Sequence, residues 1–175
     1  MIIREIQKND IYLLSEYKSF FSNNNETIPG AAGLETCKDV STWINEKLLE
    51  KSKKTILNKN FVPATTFLLI DNNTLIGIIN IRHELNDYLL NFGGHIGYSI
   101  RSDYRRRGFA KLLLNHVINY TFNKLNLDKI LITCDSTNIA SEKTILSCGG
   151  VLDNIIVSNA NKLTKRFWIN KKRIN

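Results

Sequence analysis

Apolar residues along the chain follow two periods, one near two residues and one near 3.6, and their alternation predicts strands and helices in turn. Residues 1–6 (MIIREI) read as a short strand. Asp10 is placed to cap a helix whose apolar face holds Leu13, Leu14, Tyr17, Phe20 and Phe21. Residues 23–36 (NNNETIPGAAGLET) carry a proline and two glycines and read as a loop. Thr36 with Asp39 resembles a capping box ahead of Val40, Trp43, Ile44 and Leu48 at helical spacing. A hairpin follows: TTFLLI, a turn at Asp71-Asn72-Asn73-Thr74, then LIGIINIR. After a linker (84–94), HIGYSI reads as a strand.

The longest helical stripe comes next, with Phe109, Leu113, Leu114, Val117, Ile118, Phe122 and Leu125 on one face. KILITC (129–134) is rich in β-branched residues and reads as a buried strand. Asn138 to Ser147 is a short helix stopped by Gly149-Gly150. VLDNIIV and LTKRFWI are the last strands, and Lys171-Lys172-Arg173 is a solvated basic tail. With no repeat, low-complexity block or internal linker, the 175 residues are expected to form one domain of α/β class.

Composition narrows the class. The chain is 43% apolar and 23% charged, ordinary for a soluble globular protein. No apolar run reaches the ~18 residues of a membrane span, and the N-terminus has no secretory pattern. The expected compartment is the cytoplasm, with no membrane partner. Cys37, Cys134 and Cys148 are odd in number and widely spaced, which suits reduced thiols rather than disulfides or a metal site. Net charge is +8, of which residues 1–60 carry +1 and residues 61–175 carry +7. The excess sits where a phosphate-bearing ligand is the first thing to seek.

One segment stands out, GGHIGYSIRSDYRRRGFAKLLL, residues 93–114. A helix start prefers an acidic or hydroxyl cap, yet here Arg105, Arg106 and Arg107 precede it in succession. Each exposed cation there costs about 0.3–1 kcal/mol, and the three repel one another. An anion on the free amide N–H groups reverses that balance. Gly108 lets backbone approach the anion, and Ala110 keeps the first turn unobstructed. The segment is neither a Walker P-loop nor a dinucleotide fingerprint. A solvated basic turn is the bland alternative.

The run Arg105-Arg106-Arg107-Gly108-Phe109-Ala110 resembles the Arg/Gln-x-x-Gly-x-Gly/Ala signature of the GNAT superfamily of N-acetyltransferases. GGHIGYSIR and ITCDSTNIAS are similar to a bacterial branch of predicted acetyltransferases within it. The resemblance covers about residues 60–170 and implies a mixed, mostly antiparallel sheet flanked by helices. It further implies an acetyl-CoA site. Backbone around Tyr98, Ser99 and Ile100 would pair with pantetheine, amides from Arg106 to Lys111 would cradle the pyrophosphate, and Asn138 would help hold pantetheine. Asn138 also reads as a plain helix cap. Many members carry a Tyr seven residues after that Asn, where this chain has Ile145, which cannot protonate the leaving thiolate.

The implied reaction is acetyl transfer from acetyl-CoA to a primary amine, small-molecule or peptide, by direct attack. The amine must lose a proton, and His95 or Glu84 are the candidate bases, with His83 a further competitor. Alternation puts His95 and Ser99 on one face of their strand and Tyr98 on the other, unless a bulge intervenes. Glu26 and Glu35, flanking the early loop, hint at a cationic acceptor. No metal is expected, and a homodimer is compatible with the resemblance. Two rivals stand beside the enzyme: a non-catalytic acyl-CoA-binding module, raised by Ile145, and a nucleic-acid binder, raised by the charge. The second lacks aromatic–basic interleaving and any nucleic-acid motif.

Overall fold

The structure, a computed structural model, describes residues 1–157 and 161–171. One seven-stranded sheet runs through it in the order β1-β2-β3-β4-β5-β7-β6. Its strands are β1 (Ile2–Glu5), β2 (Ala64–Asp71), β3 (Thr74–Arg82), β4 (Ile96–Ile100), β5 (Lys129–Asp135), β6 (Val151–Val157) and β7 (Leu163–Asn170). Every neighbouring pair is antiparallel except β4 with β5, which is parallel.

Alternating side chains along the strands feed two cores. Helices α1 (Ile11–Asn23) and α2 (Val40–Leu49) lay Leu14, Tyr17, Phe21, Trp43 and Ile44 against Leu68, Ile70 and Ile78 on one face. Helices α3 (Phe109–Asn123) and α4 (Ile139–Ser147) lay Leu113, Leu114, Val117 and Ile145 against Ile79, Ile81, Ile96 and Ile132 on the other. The apolar stripe read from the sequence for α3 is the one buried, with Leu125 packing just beyond the helix end.

Three local expectations change. The Asp10 side chain makes no cap bond to α1, because Arg4 and the Gln7 amide take both of its oxygens. A bidentate charge-assisted pair outcompetes one cap bond. The cap of α2 is Asp39 itself, which accepts from Thr42 N at 2.6 Å, while Thr36 turns back to Gly33 O. The 84–94 linker contains a π-helical turn, Leu89–Gly93, started by the Asn86 side chain accepting from Leu89 N. Of the basic tail, Lys171 donates to Phe122 O, and Lys172 and Arg173 lie outside the described residues.

Candidate functional site

The parallel junction of β4 and β5 has one register pair, Ile96 with Ile132. Beyond it the strands part. Arg82 N donates to His95 O and Arg101 N to Ile76 O, so the carbonyl of His95 and the backbone groups of residues 97, 99 and 101 turn to β3. Strand alternation then points the N–H and C=O of Tyr98 and Ile100 into the gap. Ser99 faces the other way: its carbonyl and hydroxyl meet the buried Tyr17 hydroxyl at 3.1 and 2.9 Å. Burial pushes the Tyr17 phenol up, so it stays a neutral donor.

At the open end of the gap a 3-10 turn, Ser102–Tyr104, leads into the arginines. Arg105 is fixed: Nε donates to Ile100 O at 3.0 Å and Nη2 to Glu26 at 2.5 Å. The Ser102 hydroxyl and the Arg105 guanidinium hold the Glu26 carboxyl below its usual range. Arg106 adopts φ 60° and is exposed, and Arg107 lies 5.3 Å from the Tyr104 ring. Neither forms an ion pair with a described residue. Gly108 caps α3 in the left-handed region (φ 83°), with open space where a Cβ would stand. The first α3 bond runs from Leu112 N to Gly108 O, leaving the amides of Phe109, Ala110 and Lys111 without helical partners. Phe109 and Ala110 anchor the turn against the core, and Lys111 is exposed. Two loose cations and a row of free amides at the positive end of a helix fit a pyrophosphate.

Across the gap, Asn138 caps α4, its Oδ1 accepting from Ser141 N at 3.0 Å. Its side-chain amide hydrogens remain for a second partner. The Tyr98 side chain crosses to the same helix, with its hydroxyl 3.0 Å from Ser141 Oγ. Burial pushes that phenol up. Ile145 is fully buried and packs under Gly150, so its side chain faces the core.

The two candidate bases sit away from this open end. His95 joins β4 to β5 at the closed end: its N–H donates to Leu131 O at 2.7 Å, and Leu131 N–H donates to its Nδ1 at 2.9 Å. With Nδ1 accepting, the neutral ring carries its proton on Nε2 and has no lone pair to offer. Burial pushes its pKa down to about 4. Glu84 follows β3 beyond that closed end, where it pairs with Lys53 at 2.7 Å. Its neighbour His83 bonds Thr65 Oγ at 2.8 Å and is held below its usual range by burial.

On the α1/α2 face, the loop after α1 lies directly on β4. A Cβ on Gly30 would stand 2.2 Å from Tyr98 N, and one on Gly97 2.8 Å from Gly30 Cα, so two glycines permit this contact. The loop's carboxylates are engaged, Glu26 by Arg105 and Glu35 by Ile28 N at 2.9 Å. Sequence patterns carried no signal for the Glu26–Arg105 or Tyr98–Ser141 contacts, because each joins segments far apart in the chain.

Residues 1–151 match the family described as acetyltransferase (GNAT) domain. The chain belongs to the GNAT acetyltransferase family. It is 28% identical over 152 residues to the uncharacterized N-acetyltransferase YnaD of Bacillus subtilis (strain 168), covering 85% of this chain and 78% of that one. A ribosomal-protein-S5-alanine acetyltransferase from Vibrio fischeri superposes with a TM-score of 0.72 at 20% identity, covering 96% and 91% of the two chains. A dodecameric spermidine N-acetyltransferase from Vibrio cholerae gives 0.63 at 22% identity, covering 97% and 92%. The mixed, mostly antiparallel sheet flanked by helices agrees with that membership. No helix among the described residues is long and apolar enough to cross a membrane.

Proposed function

We propose that this GNAT protein transfers an acetyl group from acetyl-CoA to a primary amine by direct attack, without a covalent acyl-enzyme. One observation supports the reading most: β4 and β5 part after Ile96 and Ile132, beside a helix start whose first amides lack helical partners and whose Arg106 and Arg107 form no ion pair with a described residue. When bound, acetyl-CoA supplies the activated acyl group. The chain's part is positioning and polarisation. Arg106, Arg107 and the amides of Phe109 to Lys111 hold the phosphates, Tyr98 and Ile100 offer backbone groups to the pantetheine arm, and Asn138 offers its amide. Membership of the family and the likeness to amine acetyltransferases support the amine as acceptor.

The proton of the acceptor ammonium leaves through water rather than through His95, whose lone pair is engaged. The thiolate takes its proton from solvent or from the Tyr98–Ser141 hydroxyl pair, because Ile145 is buried and apolar. That same residue favours a second reading, an acyl-CoA-binding module without turnover. Release of free thiol from acetyl-CoA, followed over a panel of amines with the acetylated product weighed by mass spectrometry, separates the two. Amine-dependent release supports the enzyme. Tight binding with no amine-dependent release supports the module.

A further inference from the structure

Of the three arginines ahead of α3, Arg105 is the one the phosphate site does not use. Its guanidinium spans the open end of the gap, with Nε on Ile100 O at the end of β4 and Nη2 on Glu26 in the loop after α1. The Ser102 hydroxyl faces the same carboxylate. A planar fork can donate in both directions at once, which a lysine ammonium in its place would not reproduce.

The loop so held lies along β4. Four residues past Glu26, Gly30 rests on Gly97 and Tyr98 N, just beyond the last β4–β5 pair. The loop is thus fixed to the strand at two places, near the closed end of the gap through Gly30 and at the open end through Glu26. Ile28, Ala31 and Leu34 bury their side chains in the α1/α2 core. Ala32 is held at φ 49°, a conformation its Cβ disfavours, with its carbonyl accepting from Trp43 Nε1 at 3.0 Å. A residue kept there by its surroundings belongs to a loop set in one shape. The preceding helix is tied to the same strand end, Tyr17 by its hydroxyl on Ser99 and Phe20 by the Arg101 guanidinium 4.0 Å from its ring. Arg105 extends these ties past the end of α1 into the loop.

The α3 amides and Asn138 both belong to the face covered by α3 and α4, so the thioester enters the gap from that side. The loop lies on the opposite face, where it walls the compartment left for the amine. We infer that Arg105 is a positioning residue for the acceptor: through Glu26 it sets that wall against β4, while Arg106 and Arg107 serve the phosphates. This role rests on the transferase reading above.

The test sorts neighbouring arginines by the substrate each one affects, in the thiol-release assay with the best amine of the panel. The Arg105–Glu26 pair is partly exposed, so a modest effect is expected. Arg105→Ala should raise the acceptor KM about 3-fold or more and leave the acetyl-CoA KM within about 2-fold. Glu26→Ala should do the same, and the double variant should be no worse than Arg105→Ala alone, because both act on one contact. Arg105→Lys keeps the charge facing Glu26 and should recover part of the acceptor KM. An acceptor KM unchanged in either single variant, or an acetyl-CoA KM raised as far as by Arg106→Ala with Arg107→Ala, overturns the inference. If no amine releases thiol, the transferase reading fails by itself. Arg105 is then judged by calorimetry with CoA and by amide hydrogen exchange. Exchange about 3-fold or more faster from Gly30 to Leu34 in Arg105→Ala, with wild-type CoA affinity, upholds its hold on the loop. Unchanged exchange, or a loss of CoA affinity, overturns it.

Discussion

Replacing His95 by Asn separates a strand clip from a proton acceptor. In the folded chain the ring is buried, accepts from Leu131 N–H, and has its pKa pushed from the usual 6.5 down to about 4. The folded state therefore resists protonation and the unfolded state does not. Stability from this group is whole above pH 6.5 and drains away as pH falls toward 4. Linkage over that interval gives a loss of about 2 kcal/mol between pH 7.5 and pH 5 from His95. Urea unfolding at the two pH values measures it. Wild type should lose about 2 kcal/mol more than His95→Asn on acidification. At pH 7.5 the variant should be less stable by about 1–3 kcal/mol if Asn does not recapture the Leu131 amide. The kcat/KM profile of the variant should keep the wild-type shape. Equal acid sensitivity of both proteins, or loss of a rate-limiting ionisation near pH 6–7 in the variant, refutes the clip and restores His95 as the base.

Other outcomes follow from the same geometry. Arg106→Ala with Arg107→Ala should weaken acetyl-CoA about 3- to 30-fold at low salt, taking about 0.3–1 kcal/mol for each charge. Acetyl-pantetheine without phosphates should bind these variants as it binds wild type, and calorimetry showing equal losses for both would remove the phosphate role. Gly108→Val should cost more than that pair, since a β-branched residue is strained at φ 83° and its side chain would project into the space left open for the anion. A folded Gly108→Val protein with normal acetyl-CoA affinity would move the anion site elsewhere. Ile145→Tyr should lower stability by about 1–3 kcal/mol through overpacking and give no faster turnover, because position 145 faces the core under Gly150. A faster, equally stable variant would contradict that placement.

What could be read from sequence divides along physical lines. Periodicity is local, so the α3 stripe, the β2–β3 hairpin and the alternation along β4 were all legible, and β4 pairs with β3 without a register shift. The odd chemistry of three arginines before Gly108 is local too, and it marked the helix start that carries the unpaired amides. The point where β4 and β5 part was not legible, because parallel register is set by packing between strands 36 residues apart rather than by either strand alone. Asp10 misled for a related reason: a short acid before a helix reads as a cap until a distant guanidinium takes it. At His95 the sequence displays a titratable ring but not the backbone amide that donates to its Nδ1.

Amide hydrogen exchange of the protein with and without acetyl-CoA reads the proposed cofactor site residue by residue. Bound acetyl-CoA should slow exchange at Tyr98, Ile100 and the amides from Arg106 to Lys111, with β1, β2 and α2 unchanged. Saturating acetyl-CoA that leaves those amides unprotected, or protects a different surface, would contradict it.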